Sequence, residues 1–357
     1  MNVLVAGAGP AGLYFSYLAR RAHPGWRIRV VEQNRADSTF GFGVVFSDRA
    51  LEFLRGDDPA TYDLITPQME SWSDITIVHR GTPVAIDGIG FAAIGRLRLL
   101  ELLQQQAASV GVVPEYEKQV TEGKGYDLVV AADGVNSAVR SWRDFGTSVS
   151  YLTNKFAWYG TPSVFDTLTQ TFVANEHGTF NAHHYRHSPK MSTFVVECDA
   201  ATWERAGFAS MGEAETLAYL ERLFGHRLVS NKSVWRNFPN LRNERWFVGN
   251  TVLIGDALRT AHFSIGSGTR LAMEDAIALV KALDGGGLAA FEAARRPIVE
   301  KLVAAADASG AWYERFPEHM KLAPREFAWS YIQRSGRIDP ERLRQISPRF
   351  VAGEMRG

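Results

Sequence analysis

Four short apolar runs punctuate this chain, and each ends in a turn-forming residue or an acid. Val3-Leu4-Val5-Ala6 reads as a strand buried on both faces, followed by Gly7, Gly9 and Gly12 and a helix from Leu13 to Arg20. Arg27-Ile28-Arg29-Val30-Val31 predicts a second strand that stops at Glu32. Tyr126 to Ala132 predicts a third, ending in Asp133-Gly134, with a helix expected next. Val252-Leu253-Ile254 predicts a fourth, running into Gly255-Asp256. Between these, Ile75–Val78 and Pro83–Ile86 flank a turn at 80–82 and read as a hairpin. Phe40 to Asp48 reads as a loop whose glycines let it lie against something flat. Ser47 or Asp48 can cap a helix over 49–54. A stronger helix covers Leu97 to Val110, with Leu99, Leu102 and Leu103 on its buried face.

From Ala157 to Asp199 the pattern turns to β, with strands at 156–160, 168–173, 179–185 and 193–198. Helices are expected at 201–205 and 213–224. The glycine-rich turn Ser264–Thr269 opens a helix to Leu283, which Gly285-Gly286-Gly287 stops. A long helix then runs from Leu288 to Arg315 with a kink expected at Pro297, and the remainder is an amphipathic cover.

The first glycine turn carries the clearest chemistry. In G-x-G-x-x-G, Gly7 allows the tight turn, Gly9 lets a pyrophosphate approach, and Gly12 lets the helix pack on the strand. The helix start at Pro10-Ala11 offers free N–H groups and a positive dipole end. Glu32, with Gln33 beside it, stands where a carboxylate takes ribose hydroxyls. A glycine turn of no function leaves Glu32 unexplained.

The bulk properties exclude several classes. With 357 residues the chain can build two interleaved lobes on a large core. Net charge is zero, with no basic stripe for nucleic acid and no polybasic run for a membrane surface. No apolar run approaches a membrane span, and the start lacks the features of a secretory signal. The single cysteine, Cys198, reads as a buried small residue, which suits the cytoplasm. His177, His183, His184 and His187 suggest no metal, because adjacent residues on a strand face opposite ways and no carboxylates or cysteines join them. Period-two spacing places His183 and Tyr185 on one face, lining a pocket or packing in the core. Trp158, Phe180, Trp235 and Phe238 are core by default, with one or two as a pocket wall.

The order glycine turn, Asp133-Gly134, Gly255-Asp256 resembles the single-component FAD-dependent aromatic hydroxylases built like p-hydroxybenzoate hydroxylase. Longer stretches resemble one branch, containing salicylyl-CoA 5-hydroxylase and the N-terminal half of anthraniloyl-CoA monooxygenase/reductase. These stretches are Phe40–Asp48, Asn175–Gly178, Met191–Cys198 and Ala261–Thr269. The violacein-pathway tryptophan hydroxylase shares Asn154-Lys155, 158–161, 235–238 and His262–Gly266. Two departures stand out: His262-Phe263 replace a Pro-Pro pair, and Arg259 stands where the family often has histidine.

The resemblance implies an α/β fold. Its Rossmann-like FAD-binding domain of the GR2 type would cover 1–74, 92–150 and 246–285. An interleaved β-sheet substrate domain would cover 75–91 and 151–245, and C-terminal helices 286–357. It implies non-covalent FAD, with NADH or NADPH and O2 as co-substrates and oxygen delivered to an electron-rich ring through a flavin C4a-hydroperoxide. Asp256 would hold a ribityl hydroxyl, Asp133 would lie near the pyrophosphate, and Arg96 would neutralise phosphate. Gly43 and Val44, with Val45, would touch the isoalloxazine, and Gly266, Gly268 and Thr269 would aim a helix dipole at its pyrimidine. His262 would face flavin or substrate and is the candidate catalytic residue; Trp158, His183, Tyr185, Phe238 and Phe263 are the candidate substrate contacts. The implied substrate is a salicylyl- or anthraniloyl-type thioester on CoA or a carrier protein, hydroxylated at the 5 position, with tryptophan as the alternative. Arg295, Arg296, Arg325, Arg334 and Arg337 are candidates for the phosphate of the arm. A halogenase is disfavoured by the absence of its Trp-x-Trp-x-Ile motif, and a non-catalytic flavin-binding protein by the intact glycine and aspartate turns.

Overall fold

The structure is a computed structural model that describes residues 1–39 and 41–353. Phe40 and the side chain of Asp48, an expected cap, lie outside the described residues. Each apolar run of the N-terminal part becomes a strand of one five-stranded sheet. β1 (Asn2–Ala6) feeds α1 (Pro10–Ala22), which begins at Pro10 because proline needs no N–H partner there. β2 (Arg27–Val31) returns parallel to β1.

The stretch expected as a loop before position 48 forms β3 (Gly43–Ser47), then a 3-10 turn, α2 (Glu52–Asp57) and α3 (Pro59–Ile65). β4 (Glu70–Trp72), the hairpin β5 (Ile75–His79) and β6 (Thr82–Ile86), and β7 (Phe91–Gly95) precede α4 (Arg96–Ser109). β3, β7 and β4 pair as a small antiparallel sheet, which explains why the aromatic-glycine stretch is extended. β8 (Leu128–Ala131) pairs parallel to β1, but only a 3-10 turn at Val139–Trp142 follows where a helix was expected.

A second, larger sheet holds β9 (Thr147–Thr161), β10 (Leu168–Asn175), β11 (Gly178–Ser188) and β12 (Met191–Cys198). The hairpin β5–β6 joins its edge. α5 (Ala200–Arg205) and α6 (Glu213–Phe224) then cover its outer face. β13 (Val229–Ser230) and β14 (Arg236–Asn243) both pair with β9. β14 is absent from the sequence reading, because its polar residues do not alternate and Pro239 sits at a register shift. β15 (Phe247–Val248) and β16 (Thr251–Leu253) return to the first sheet, whose order is β15-β16-β8-β1-β2.

α7 (Gly268–Leu283) packs on α1, and α8 (Gly287–Glu314) runs on through Pro297. α9 (Phe316–His319), α10 (Pro324–Gln333), α11 (Pro340–Ile346) and α12 (Pro348–Ala352) close one core against β5, β6 and β10. Among the described residues no helix is long and apolar enough to cross a membrane.

One buried ionic cluster fastens these parts together. Asp275 of α7 is fully buried. Its carboxylate accepts the Gly255 N–H at 3.1 Å, pairs with Arg259, and accepts from Arg295 of α8 at 3.2 and 3.3 Å. Arg259 also donates to the Gly255 carbonyl at 3.0 Å. Asp275→Ala would leave two buried guanidiniums without that carboxylate, an expected cost of about 3–5 kcal/mol in urea unfolding. A loss below about 1 kcal/mol would show that the arginines find other partners.

Candidate active site

Three strand ends meet at one edge of the first sheet. Gly7 has φ of 97°, and a Cβ there would lie 2.4 Å from the Ala132 carbonyl oxygen and 2.9 Å from Asp133 Cα. A Cβ on Gly12 would lie 2.0 Å from the Gly7 oxygen. A Cβ on Gly255 would reach Ala11 Cβ at 3.1 Å. The glycines are therefore packed against one another and bring Gly7–Gly12, Asp133 and Gly255-Asp256 into contact. Gly9 differs: nothing lies within 4 Å of its missing side chain, so the α1 N-terminus faces open space. At the end of β2, Glu32 accepts from Ala8 N–H at 2.9 Å and from Asn34 N–H at 2.8 Å. Its position beside the α1 N-terminus is thus held by the chain itself, and Gln33 next to it is exposed.

Across this edge stand Arg96 and Asp256. Asp256 is exposed, yet protein crowds it closely enough that burial pushes its carboxyl up, against the pull of Arg96 and Arg259. That combination marks the wall of a crevice. Burial likewise pulls Arg96 down while Asp256 opposes the shift, and Arg96 Nε is buried without a partner. Asp133 turns its Oδ2 inward to the N–H groups of Ala138 and Val139 at 2.8 and 3.2 Å; burial pushes its carboxyl up. Gly266 has φ of 62° and would collide with Val45 if it carried a side chain, with Cγ1 3.1 Å away. Gly268, which opens α7 ahead of Thr269, has open space beside it.

Gly43 packs closely against the second sheet. The room that its missing side chain leaves is taken by His187 Cβ at 2.6 Å and Thr193 Oγ1 at 2.7 Å. Its glycine identity therefore follows from strand-to-sheet packing of β3 on β11 and β12. Val44, next to it, is partly buried.

The inner face of the second sheet lies beyond. Register sets Trp158, Val195 and His183 abreast on β9, β12 and β11, with Phe156, Glu197 and Asn181 in the next row of that face. His184 points the other way and stacks on Phe194. Tyr185 shares the face of His183, but its hydroxyl donates to the Gly43 carbonyl at 3.0 Å and its ring packs near Trp72. It packs where the two sheets join, 5.5 Å from the His183 ring.

The turn after Gly255-Asp256 folds over this face. Phe263 approaches Phe156 and Trp158, with ring centroids at 5.0 and 5.5 Å, and Phe238 approaches His262 at 4.9 Å. Trp158, Phe238, His262 and Phe263 thus form one aromatic cluster. His262 is buried, and its Nδ1 lies 2.8 Å from Ser264 Oγ, which in turn meets Ser309 Oγ of α8 at 2.7 Å. Burial, with Arg334 and the other histidine adding to it, pulls His262 down to about 3; burial and Arg334 pull His183 to about 3. Both are therefore neutral at physiological pH. Trp158 Nε1 and His183 Nε2 are buried without partners.

Sequence reasoning placed Arg334 among arginines for a phosphate arm. The five do not converge. Arg295 is consumed by Glu274 and Asp275, Arg296 pairs with Glu292, and Arg325 donates to the Phe350 and Val351 carbonyls. Arg337 lies near Arg270, and Arg334 turns inward toward the aromatic cluster. Glu197 went unnoticed, although one acid within the apolar run 194–198 was a signal. Burial pushes its carboxyl up to about 8, against an Asn154 amide donating at 2.8 Å. Among the described residues no three His, Cys, Asp or Glu side chains cluster as metal ligands.

The sequence pattern of the FAD binding domain family matches residues 95–306. The chain is 41% identical to the salicyloyl-CoA 5-hydroxylase of a Streptomyces species, over 94% of this chain and 70% of that protein. It is 36% identical to the protodeoxyviolaceinate monooxygenase of Chromobacterium violaceum, over 95% and 96% of the two chains. That name gives protodeoxyviolaceinate where the sequence reading expected tryptophan. It is also 36% identical to the 3-hydroxy-4-methyl-anthranilyl-[aryl-carrier protein] 5-monooxygenase of Streptosporangium sibiricum, over 89% and 90%. The fold matches a crystal structure of 2-methyl-3-hydroxypyridine-5-carboxylic acid oxygenase, with a TM-score of 0.73 at 18% identity over 96% and 98% of the chains. The chain is thus an FAD-dependent aromatic monooxygenase and belongs to the FAD binding domain family.

Proposed function

We propose that the chain hydroxylates a 2-hydroxy- or 2-aminobenzoyl group carried as a thioester, para to the ring donor. The observation that carries this reading is the likeness over nearly the whole chain to salicyloyl-CoA 5-hydroxylase, supported by the carrier-protein relative. The dispersed arginines favour a second reading, the free aryl acid, because no phosphate cradle forms from those five.

The residues present fit FAD. Open space at Gly9 and Gly268, the unpartnered Arg96 Nε and the crevice position of Asp256 are all features a bound dinucleotide would use. Gly7, Gly9, Pro10, Ala11 and Gly12 would hold its pyrophosphate, Glu32 and Gln33 its ribose, Asp256 its ribityl chain, and Gly266, Gly268 and Thr269 its ring. When bound, the flavin takes hydride from NADH or NADPH and activates O2 for transfer to the ring.

The chain's own residues do the rest. Trp158, Phe238 and Phe263 supply an apolar wall that orients a flat substrate and excludes water. His262, neutral and tied through Ser264 to α8, anchors the turn over the substrate face and adds no charge of its own there.

Salicylyl-CoA, anthraniloyl-CoA, the free acids, tryptophan and an indole acid form the test panel, offered with each nicotinamide. Hydroxylation of a thioester at position 5 is expected; turnover of the free acids alone would transfer the assignment to the second reading. Asp256→Ala is expected to weaken FAD binding by about one to two powers of ten, from the loss of a charged hydrogen bond of ~1.5–3 kcal/mol. Equal flavin affinity in a titration would remove Asp256 from the cofactor site. His262→Ala should retain FAD but lower the ratio of product formed to NAD(P)H consumed, with peroxide making up the difference. Unchanged coupling would leave the histidine with packing alone.

A further inference from the structure

Arg334 lies near the end of α10, some seventy residues after the turn that it touches. Its Nη2 donates to the Ser264 carbonyl at 2.9 Å and its Nη1 to the Tyr331 carbonyl at 2.9 Å. The guanidinium lies 3.8 Å over the Tyr331 ring and 6.0 Å from the Tyr313 ring. Its Nε is buried and has no partner. Among the described residues no carboxylate pairs with it, whereas Arg259 and Arg295, buried on the other side of the turn, share Asp275. Toward the interior the groups that face it are His183 from β11, His262 from the turn, Tyr313 from α8 and its own neighbour Tyr331. On its outer side Arg325 and Glu326 of α10 line a surface pocket with it, Glu326 forming no ion pair with it. None of the interior groups is a carboxylate.

A partly buried cation with a free N–H and no counter-ion is costly in the free protein. It is suited to an anionic oxygen brought in by a ligand, since a guanidinium gives a directed, charge-assisted bond. We propose that Arg334 is the substrate-binding cation of this enzyme, holding an anionic oxygen on the aromatic ring or directly attached to it. The assignment rests on the aromatic-substrate reading above and says which substrate form binds. In a thioester the anionic oxygen is the ring phenolate; in a free acid it is the carboxylate. A phenolate held in this way is also the more electron-rich ring, so the same contact orients the substrate and activates it.

The probes are salicylyl-CoA, whose ring offers only a phenol oxygen, benzoate, whose ring carries only a carboxylate, and anthraniloyl-CoA, whose ring offers neither; the CoA phosphates are common to the two thioesters. Each is titrated without NAD(P)H into the FAD-loaded enzyme, and binding is read from the flavin absorbance. The ionisation of bound salicylyl-CoA is read from its own ultraviolet band as pH is varied. For the wild-type enzyme, the phenol of the bound ligand is expected to ionise at lower pH than the free ligand. Arg334→Met should weaken at least one of the two anionic probes by about tenfold to a hundredfold. It should change anthraniloyl-CoA by less than about threefold, and Arg334→Lys should restore part of the loss by returning the charge. Which anion responds distinguishes phenolate from carboxylate recognition. Equal weakening of all three probes, or no weakening of either anion, would overturn the assignment. If Arg334→Met fails to load FAD, the wild-type measurement decides: no lowering of the phenol ionisation together with no binding of benzoate overturns it. These readings need no turnover, so failure of the thioester to be hydroxylated would count against the proposed substrate and leave the Arg334 contact standing or falling on its own data.

Discussion

The site depends on a carboxylate that touches neither the proposed cofactor nor the substrate. Asp275 accepts the Gly255 N–H, and Arg259, which it pairs with, donates to the Gly255 carbonyl. Both polar groups of that peptide residue are therefore taken from behind, and Asp256 next to it is left to face the crevice. Arg295 extends the cluster to α8, which also carries Ser309, the partner of Ser264. A buried ion cluster of this kind adds little net stability, since desolvation consumes most of the attraction. What it does add is a fixed position for a turn whose Gly255 has φ of 61° and which joins the last strand of the first sheet to the segment leading into α7.

The second sheet solves a different problem with the same means. Alternation sends Tyr159, Ala182, Phe194 and Cys198 to an apolar face under α5 and α6. It sends Asn154, His183, Glu197 and Gln170 to the face under α8, where each has a polar atom without a partner. Four such atoms on one face would be a heavy cost in an ordinary core. Burial reduces the cost by keeping the ionisable members uncharged: His183 sits far below its usual range and the Glu197 carboxyl far above it. Both are then neutral at pH 7, and the face is polar without carrying net charge.

The sequence revealed the parts of this arrangement that are local. Gly7 to Glu32 could be read because strand, turn, helix and terminal acid lie within about thirty residues and each constrains the next. The hairpin at β5–β6 and the strands β10 to β12 were visible from alternation alone. β3 and β14 were not, because their extended form comes from partners far along the chain: β7 for the first and β9 for the second. Gly43 shows what a local pattern leaves out. A glycine between aromatics suggested a flat ligand, but the space is filled by His187 and Thr193, which no local pattern could place beside it. Tyr185 is tied to the same place, since its hydroxyl donates to the carbonyl of that glycine.

Arg334 and Arg295 were indistinguishable as letters, two arginines in amphipathic C-terminal helices. Packing separates them. Arg295 points from α8 to the rear of the Gly255 turn, meets two carboxylates and is neutralised. Arg334 points from α10 to the front of the following turn, meets a carbonyl and aromatic rings, and is not. Arg295 reaches the loop between Gly255 and Gly266 only through Asp275, which accepts the Gly255 N–H, whereas Arg334 donates to the Ser264 carbonyl directly. An acid beside Arg334 would have neutralised it as Asp275 neutralises Arg295. Its absence leaves the inner cation uncompensated at the place where the aromatic cluster, the neutral histidines and the flavin-side turn come together.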